Sequence, residues 1–397
     1  MRGIGRQARG EGGDAGMALR LAALSAAAFA GVGVQAPFLP IWLEGRGLDA
    51  TTIGIVVALP ICVRMLASAP LTALTDRGVS ARRLLVVAHL SLGLAFALLF
   101  LAPGPWSIAL VVVVAALAQS PIVPATDLVL TDQVRERPRL DYGRLRIFGS
   151  LAFLATSVGM GYLLEIAPLD AVVVALVAAG LVGAAIAFAT PPLTQERASP
   201  ERRAPPARLP RALLLVIAAA GLVQASHAGV YAFGSIHWKS LGFSGSTVGY
   251  LWAVGVVTEI VLFYFVGRSV GRSSGLLLIA LGAGAAVVRF VGLALEPGPL
   301  ATFALQSLHG LTFGATHLGA MAALTALAPP GARGRAQGAL AAVQALGMAS
   351  AMALGGVVYD AAGGLVFLAM APLGAAGLAL VAVAGRARLK EGLKALR

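Results

Sequence analysis

The sequence has few charged residues. Only 12% of its 397 residues are Asp, Glu, Lys or Arg, 58% are hydrophobic, and the mean hydropathy is +0.88. Such a chain is too apolar for a soluble domain and must be dissolved in lipid. A backbone in hydrocarbon pairs its polar groups internally, as helices or as a closed barrel. The alternating strands typical of a barrel are absent from the sequence, so its long apolar runs indicate helices.

Several kinds of reactive chemistry are missing as well. The single cysteine, Cys62, has no partner within the chain, which excludes an internal disulfide. The sequence contains no Gly-x-x-x-x-Gly-Lys-Ser/Thr segment, so we do not expect ATP to drive its activity. Its histidines have no carboxylate at metal-ligand spacing, and no Ser-His-Asp or Cys-His arrangement has a plausible setting. We therefore expect no enzyme activity, no metal and no cofactor.

Acidic residues are also few, 17 against 30 Lys and Arg, which leaves a net charge of +13. The basic residues lie between apolar runs, where positive charge marks the cytoplasmic side of a membrane, so we expect no nucleic-acid binding. With the N-terminus inside, only Arg46 and Lys239 fall outside, and Arg64 and Arg289 fall within helices. The charges thus predict that both termini are cytoplasmic.

Twelve apolar segments are long enough to cross about 30 Å of hydrocarbon at about 1.5 Å per residue. The first six lie near residues 17–42, 51–75, 82–102, 105–131, 142–164 and 168–190. The other six lie near residues 210–238, 245–267, 275–295, 299–327, 336–358 and 362–384. We therefore predict an all-α membrane protein with twelve transmembrane helices, the first retained rather than cleaved as a signal peptide.

The chain divides into two predicted six-helix bundles, residues 17–190 and 210–384. Residues 191–209, rich in Pro and Arg, predict a flexible cytoplasmic linker between them. Residues 1–16 predict a disordered cytoplasmic tail, and residues 385–397 predict a second cytoplasmic tail.

An internal repeat supports this division. The segment Gly-Leu-Asp-Ala-Thr-Thr-Ile-Gly at 47–54 returns as Gly-Phe-Ser-Gly-Ser-Thr-Val-Gly at 242–249, about half a chain later. The same offset relates Gly161 to Gly356 and Glu165 to Asp360. Two pseudo-symmetric bundles around a site at the membrane midplane are typical of secondary transporters.

Two segments, a loop after the second helix and the start of the fifth helix, resemble known transporters. The loop at 76–83 reads Asp-Arg-Gly-Val-Ser-Ala-Arg-Arg, similar to the Asp-Arg-x-Gly-x-x-Arg pattern of the major facilitator superfamily, although Ala73 replaces its usual first Gly. The segment Asp-Tyr-Gly-Arg-Leu-Arg-Ile-Phe-Gly at 141–149 resembles Glu-Phe-Gly-Arg-x-Arg-x-x-Gly of the lactose permease branch. The resemblance implies the major facilitator fold, a conformational loop with Asp76, Arg77 and Arg82, and a substrate-binding Arg146.

Other segments resemble the phenylpropionate permease group. They are Phe-Leu-Pro-Ile-Trp at 38–42, Pro-Ala-Thr-Asp at 124–127, Gly-Tyr-Leu-Trp at 249–252 with Glu259, Val288-Arg289, Leu308-His309, and His-Leu-Gly-Ala-Met at 317–321. This resemblance implies a proton-coupled permease for aromatic or other small carboxylates. In lactose permease, a proton-carrying carboxylate follows the histidine that matches His309 by one turn. Here that position is Thr312, so proton coupling must use another acid.

Ionisable groups within hydrocarbon are costly, so the few present are candidates for function. Asp127 and Arg146 lie near the ends of neighbouring antiparallel helices and can meet at one depth. A structural role is the alternative, because arginines near helix ends also extend to the headgroups, and for Arg144 we prefer that interpretation.

Glu259 is the only carboxylate in the middle of a second-half helix, and Arg64 occupies the equivalent place in the first half. Glu259 is the first candidate for proton coupling, and Asp127 is the second. Burial raises the pKa of a carboxyl and a nearby arginine lowers it, so such a group can gain and lose a proton as its surroundings change. The alternative is a static charge pair between the two halves.

Arg289 and His309 lie on consecutive helices with the separation found in lactose permease. Arg64, Arg146 and Arg289 are three candidates for binding one carboxylate, since the planar guanidinium can bind both oxygens. Polar and aromatic residues form one stripe on the seventh helix with His227 and Tyr231, and another on the tenth with His309 and His317. We expect these stripes to line a substrate cavity, although a lone histidine more often forms a structural hydrogen bond.

We therefore predict a secondary active transporter in the plasma membrane, the inner membrane in a bacterium, that moves a small organic acid with protons by alternating access. A sugar or nucleoside proton symporter is the nearest alternative. A non-transporting membrane assembly factor or sensor is a weaker one. The expected partners are the solute, protons and the lipid bilayer, and we expect a monomer.

Overall fold

The fold is known from a computed structural model that describes residues 4–137, 139–190, 208–266, 275–329 and 331–395, with side chains between residues 15 and 386. The described part is helical and contains no strand. Twelve helices are long and apolar enough to cross a membrane, and we label them α1–α12 in chain order. They are Ala15–Gly45, Ala50–Arg77, Ala81–Leu101, Pro105–Glu136, Tyr142–Ile166, Ala171–Ala189, Arg211–Ser240, Gly245–Val266, Gly275–Ala294, Pro299–Leu327, Arg333–Ala362 and Leu365–Arg386.

These twelve helices confirm the predicted fold class, and each lies within a few residues of its predicted span. The chain is a multi-pass membrane protein. The helix that contains α1 runs Ile4–Gly45, and the one that contains α12 runs Leu365–Ala395, so both extend into segments predicted as tails. Hydropathy detects only the apolar part of a helix, and no proline stops the first helix before Pro37. The linker at 191–209 lies almost wholly outside the described residues, and the bundle boundaries stay a prediction.

Contacts divide the chain into two units, the first of which comprises Met1–Gly45 and Val63–Ser199. Within it, α1 packs against α5 and α6, and α3 packs against α4 and α6. Small residues permit the closest approach, as between α3 and α6, where a Cβ on Gly180 would lie 2.5 Å from the Cα of Gly93. Lipid gives apolar side chains little reason to associate, so such close backbone packing holds membrane helices together.

The second unit comprises Arg46–Cys62 and Pro200–Arg397. Here α7 packs against α11 and α12, α9 packs against α12, and α10 packs against α8 and α9. The pairs α7/α11, α7/α12 and α9/α12 repeat the pairs α1/α5, α1/α6 and α3/α6 six helices later. The second unit thus reproduces the packing of the first, as expected if the sequence repeat reflects a duplicated structure.

The beginning of α2 belongs to the second unit, where it is capped by α11. The carboxylate of Asp360 accepts hydrogen bonds from the backbone N–H groups of Ala50 at 3.1 Å and Thr51 at 3.0 Å, and from the Thr51 hydroxyl at 2.5 Å. A carboxylate at a helix N-terminus satisfies unpaired N–H groups and interacts favourably with the helix dipole. Asp360 therefore stabilises the first turn of α2.

Two helices of the second unit are interrupted near their middles by π-helical turns. One is Val230–Gly234 in α7, and the other is Gly310–Ala315 in α10. Each follows a short break in the α-helical pattern, at Ser226–His227 in α7 and at Leu308 in α10. Such turns are rare and occur frequently at functional sites.

Candidate functional site

Arg289 of α9 is the central residue of a buried polar cluster in the second unit. Its side chain is 1% exposed. Its guanidinium donates from Nη2 to Gln306 Oε1 at 2.6 Å, and from Nη1 to Thr312 Oγ1 at 3.0 Å and His309 Nδ1 at 3.2 Å. Among the described residues, its buried Nε has no hydrogen-bond partner. Within the described residues none of its partners is a carboxylate, so a buried cation and one free donor remain available to an anion.

Thr312 connects Arg289 to His227 of α7. Nδ1 of His227 lies 3.2 Å from the carbonyl oxygen of Val223 and 3.1 Å from that of Gln224, so this nitrogen carries the proton and donates. Nε2 of His227 therefore accepts from the Thr312 hydroxyl, at 2.9 Å. Because the hydroxyl accepts from Arg289 and donates to His227, the chain of hydrogen bonds has one direction.

The same reasoning fixes the tautomer of His309. Arginine can only donate, so Nδ1 of His309 accepts from Arg289 and the neutral imidazole carries its proton on Nε2. That nitrogen lies 4.0 Å from Oε2 of Glu259 in α8. Protonating His309 on Nδ1 would turn an acceptor into a donor that faces the guanidinium. Of this pair, Glu259 is therefore the group that can gain a proton without breaking the hydrogen bond to Arg289.

The local backbone explains how α8 and α10 approach each other closely enough to bring Glu259 to His309. Gly310 begins the π-helical turn of α10, and its N–H donates to Thr258 Oγ1 of α8 at 3.2 Å. A Cβ at Gly310 would lie 2.7 Å from the carbonyl oxygen of Thr258. A larger residue would push α8 and α10 apart, which would separate Glu259 from His309.

Aromatic rings lie next to the Arg289 cluster. Tyr231 stacks on Trp252 with ring centroids 5.6 Å apart, and its ring centroid is 5.7 Å from that of His227. Along α10, Phe313 stacks on His309 at 5.2 Å and on His317 at 6.4 Å. Apolar rings beside a buried cation can accommodate a ligand that has a planar ring and one negative group.

The predicted residues of the second half thus fall into one cluster. Arg289, His309, His227 and Tyr231 are close together, and Glu259 is adjacent to His309. His317 lies at the end of the aromatic stack and contacts the ring of Phe263 at 6.3 Å. Their roles in substrate and proton binding stay predictions.

In the first unit, Arg64 of α2 belongs to a different network. Its Nη1 donates to Gln119 Oε1 at 2.7 Å, and Gln119 Nε2 donates to Gln35 Oε1 at 3.1 Å. Arg64 is thus hydrogen-bonded to a chain of two side-chain amides, first Gln119 of α4 and then Gln35 of α1.

Asp127 and Arg146 form a second group in the first unit. Nε of Arg146 lies 3.6 Å from Oδ1 of Asp127, which also accepts from the Tyr142 hydroxyl at 3.1 Å. The guanidinium carbon of Arg146 lies 4.0 Å from the ring centroid of Phe29, a cation–π contact. The structure therefore brings Asp127 to Arg146, the arginine preferred from the sequence. Arg144 remains exposed, with its backbone N–H capped by Asp141 at 2.7 Å.

The segment with the major facilitator pattern begins in the last turn of α2. That turn, Thr75–Arg77, is a short helical turn, and it is followed by Gly78, whose φ of 94° favours glycine. Asp76 and Arg77 are exposed, and the guanidinium carbon of Arg82 lies 4.7 Å from the ring centroid of Phe188. The conformational role of the loop stays a prediction.

Several polar residues of both networks were missed from the sequence. Gln35 and Gln119 give no charge signal, and Thr312 was noted only as the replacement of a carboxylate. His89 of α3 is buried and was overlooked, although it is the only histidine of the first half. A lone polar residue within an apolar run was the available signal.

Comparisons with known proteins agree with this architecture. A probable 3-phenylpropionic acid transporter of Escherichia coli strain K12 is 33% identical over 303 residues, which cover 74% of this chain and 78% of that protein. The solved structure of the D323A mutant of the nucleoside transporter NupG matches 92% of this chain and 99% of its own with a TM-score of 0.83, at 14% identity. A bacterial homologue of the human lysosomal transporter Spinster in an inward-facing, occupied conformation matches 94% of each chain with a TM-score of 0.66, at 17% identity. At these identities the two structures establish the fold alone.

The family model described as the MFS_1 like family matches residues 19–369, nearly the whole membrane-spanning part. Family, relative and fold all indicate a transporter of small solutes rather than an enzyme. The chain therefore belongs to the MFS_1 like family and is a major facilitator transporter.

Proposed function

We propose that this transporter is a proton-coupled symporter of a small aromatic or other organic carboxylate, and that it works by alternating access. The curated relative from E. coli is named for 3-phenylpropionic acid, which has this chemistry. The single observation that carries the proposal is Arg289, a buried guanidinium whose partners in the described part of the chain are neutral and whose Nε has none there. An incoming carboxylate would supply the missing negative charge.

Coupling to protons follows from the position of Glu259. When ionised, this carboxylate would repel a substrate carboxylate bound at Arg289, since Glu259 lies 4.0 Å from His309, which is bonded to Arg289. Protonating Glu259 removes the repulsion, so substrate binding favours proton binding. By linkage, proton binding then favours substrate binding to the same extent. This reciprocity is what a symporter requires, and His309 mediates it by holding the cluster together.

The proposal is tested by uptake of radiolabelled 3-phenylpropionate into proteoliposomes with the lumen at pH 7.5 and the medium at pH 5.5. We expect wild type to accumulate substrate above the outside concentration. The variant Glu259→Gln should lose accumulation but retain exchange of internal for external substrate, because it mimics the protonated site permanently. The control is Glu44→Gln, the same change at an exposed carboxylate, which should behave as wild type. Accumulation by Glu259→Gln at the wild-type level would disprove proton coupling through this residue.

A nucleoside or sugar substrate is the second candidate. It is favoured by the amides of Gln224 and Gln306, which lie in the same cluster and suit hydroxyl-rich ligands. Competition for uptake distinguishes the two. If unlabelled nucleosides or sugars block uptake and carboxylates do not, the substrate class proposed here is wrong.

The proposal includes the topology predicted from the positive charges, with both termini in the cytoplasm of a bacterial cell, and a monomeric transporter. The charge asymmetry of the loops supports the topology. The topology is tested with Arg46→Cys, a change at an exposed residue, in a variant that also carries Cys62→Ser. An impermeant maleimide should label this cysteine in intact cells. Labelling only after the membrane is opened would reverse the orientation.

A further inference from the structure

His89 of α3 is a buried imidazole that the transport mechanism does not use. Its side chain is 2% exposed, and neither Nδ1 nor Nε2 has a hydrogen-bond partner among the described residues. A neutral imidazole has one donor and one acceptor, and leaving both unmet away from water destabilises the protein. A buried polar group without a protein partner commonly binds an internal water molecule.

A cavity next to His89 has the size and polarity that a water molecule needs. It lies within the first unit and has three polar lining residues, Gln35 of α1, His89 of α3 and Gln119 of α4, among apolar ones. About 10 Å³ of it is open to the centre of a water molecule, which is close to the minimum for one water. Three hydrogen-bonding side chains are within the number that a buried water contacts.

The hydrogen bonds already made around the cavity define where the water would bind. Arg64 donates to the oxygen of Gln119, and the Gln119 amide donates to the oxygen of Gln35. The amide nitrogen of Gln35 is the next donor in this direction. A water that accepts from Gln35 can donate to the unprotonated nitrogen of His89, because water both donates and accepts.

The position of the His89 ring is restricted by α6. A Cβ at Gly183 would clash with Nδ1 of His89, so this glycine provides the space in which the ring lies. The ring therefore packs into a notch on α6 while the cavity beside it extends to α1 and α4. A well-packed ring with an unmet nitrogen is a preorganised partner for water.

We propose that this cavity binds one internal water molecule, which links His89 to the chain Gln35, Gln119 and Arg64. The water makes His89 a positioning residue for the Arg64 guanidinium. The water site itself does not depend on the transported solute. Its effect on transport rests on the function proposed above.

The test is a double-mutant cycle of apparent melting temperature in detergent, with His89→Leu, Gln35→Leu and the double variant. If both residues hold the same water, each single change lowers the melting temperature, and the double variant falls no further than the lower single variant. A dry cavity predicts the opposite result, because His89→Leu then removes unmet polar atoms and leaves the melting temperature unchanged or higher. That outcome, or additive effects in the cycle, would overturn the proposal.

A matched control comes from the same unit. Thr126 of α4 is 1% exposed, its hydroxyl has no partner among the residues that the structure describes, and it does not line the cavity. Thr126→Val should therefore not lower the melting temperature. His89→Gln should retain most of the wild-type value, since an amide can still bond to the water.

Two further measurements separate the water from a purely structural role. The chain has five histidines, so ¹⁵N-histidine spectra of wild type and His89→Gln identify the His89 signal, which should show magnetisation transfer to water. In transport, His89→Leu should raise KM for 3-phenylpropionate about threefold to tenfold, with Vmax and the pH dependence unchanged. No transfer to water in the wild-type spectrum would overturn the water site. Failure of wild type to transport any carboxylate would contradict the proposed function only.

Discussion

Each unit contains one mid-helix arginine bonded to a glutamine, and the two arginines differ in what else surrounds them. Arg64 donates to Gln119, whose amide in turn donates to Gln35. Arg289 donates to Gln306, Thr312 and His309, and through His309 it approaches the carboxylate of Glu259. An amide chain can orient a cation but cannot take up a proton. If the proposed function holds, the duplicated architecture has specialised, with proton coupling in the second unit and positioning in the first.

Replacing the arginines by lysine tests the comparison most strongly. Lysine keeps the charge but cannot donate in three fixed directions, so Arg289→Lys should lower Vmax/KM for uptake about 100-fold, about 2.7 kcal/mol. Arg64→Lys, with one donated bond to reproduce, should lower it only about threefold to tenfold. Initial rates of 3-phenylpropionate uptake at matched protein levels measure both. Equal losses would show that the units are not specialised.

Replacing Thr312 is the second test of the difference between the Arg289 and Arg64 networks. Thr312→Val keeps the shape but removes the hydroxyl that accepts from Arg289 and donates to His227. We expect KM to rise roughly tenfold, with Thr312→Ser close to wild type. The corresponding change in the first unit, Gln119→Leu, should have a smaller effect because the partner it leaves, Arg64, is less enclosed than Arg289. A larger effect of Gln119→Leu than of Thr312→Val on KM would show that the Arg64 network contributes more to substrate binding than the Arg289 network.

The smallest expected effect concerns stability. Gly183→Ala introduces a Cβ that clashes with His89, and we expect it to lower the apparent melting temperature by roughly 3–8 °C. Gly284→Ala is the matched change in the second unit, since a Cβ there has nothing within 4 Å. It should be neutral or slightly stabilising, because alanine is the better helix former. A stable Gly183→Ala variant would show that the His89 ring is not confined.

The sequence predicted the twelve helices and the separate groups Asp127/Arg146 and Arg289/His309. Hydropathy locates spans because lipid allows few alternatives, and helices joined by a short turn must be neighbours. The amides of Gln35 and Gln119 could not be predicted as partners of Arg64, since their pairing depends on which faces of α1, α2 and α4 meet. Charge draws attention to ionisable residues, whereas neutral hydrogen-bond partners differ little from other polar residues in the sequence.

The role of Thr312 also required the structure. From the sequence, it was the place where an expected carboxylate was missing. In the structure it is the hydroxyl that connects a donor-only arginine to an accepting histidine. The π-helical turn that contains it packs against α8 and α9.

The π-helical turns also determine how the chain can change in length. A π-helical turn holds one more residue than an α-helical turn, so losing one residue from Gly310–Ala315 would restore a regular α-helix instead of breaking it. The part of α10 beyond the deletion, including His317, would keep nearly its orientation relative to His309, because the extra residue is accommodated within the turn. The residues that shift would be those of the turn itself, among them Thr312, which bonds to Arg289 and His227. A one-residue deletion here would thus preserve a membrane-spanning helix of nearly full length while breaking the hydrogen bonds that Thr312 makes.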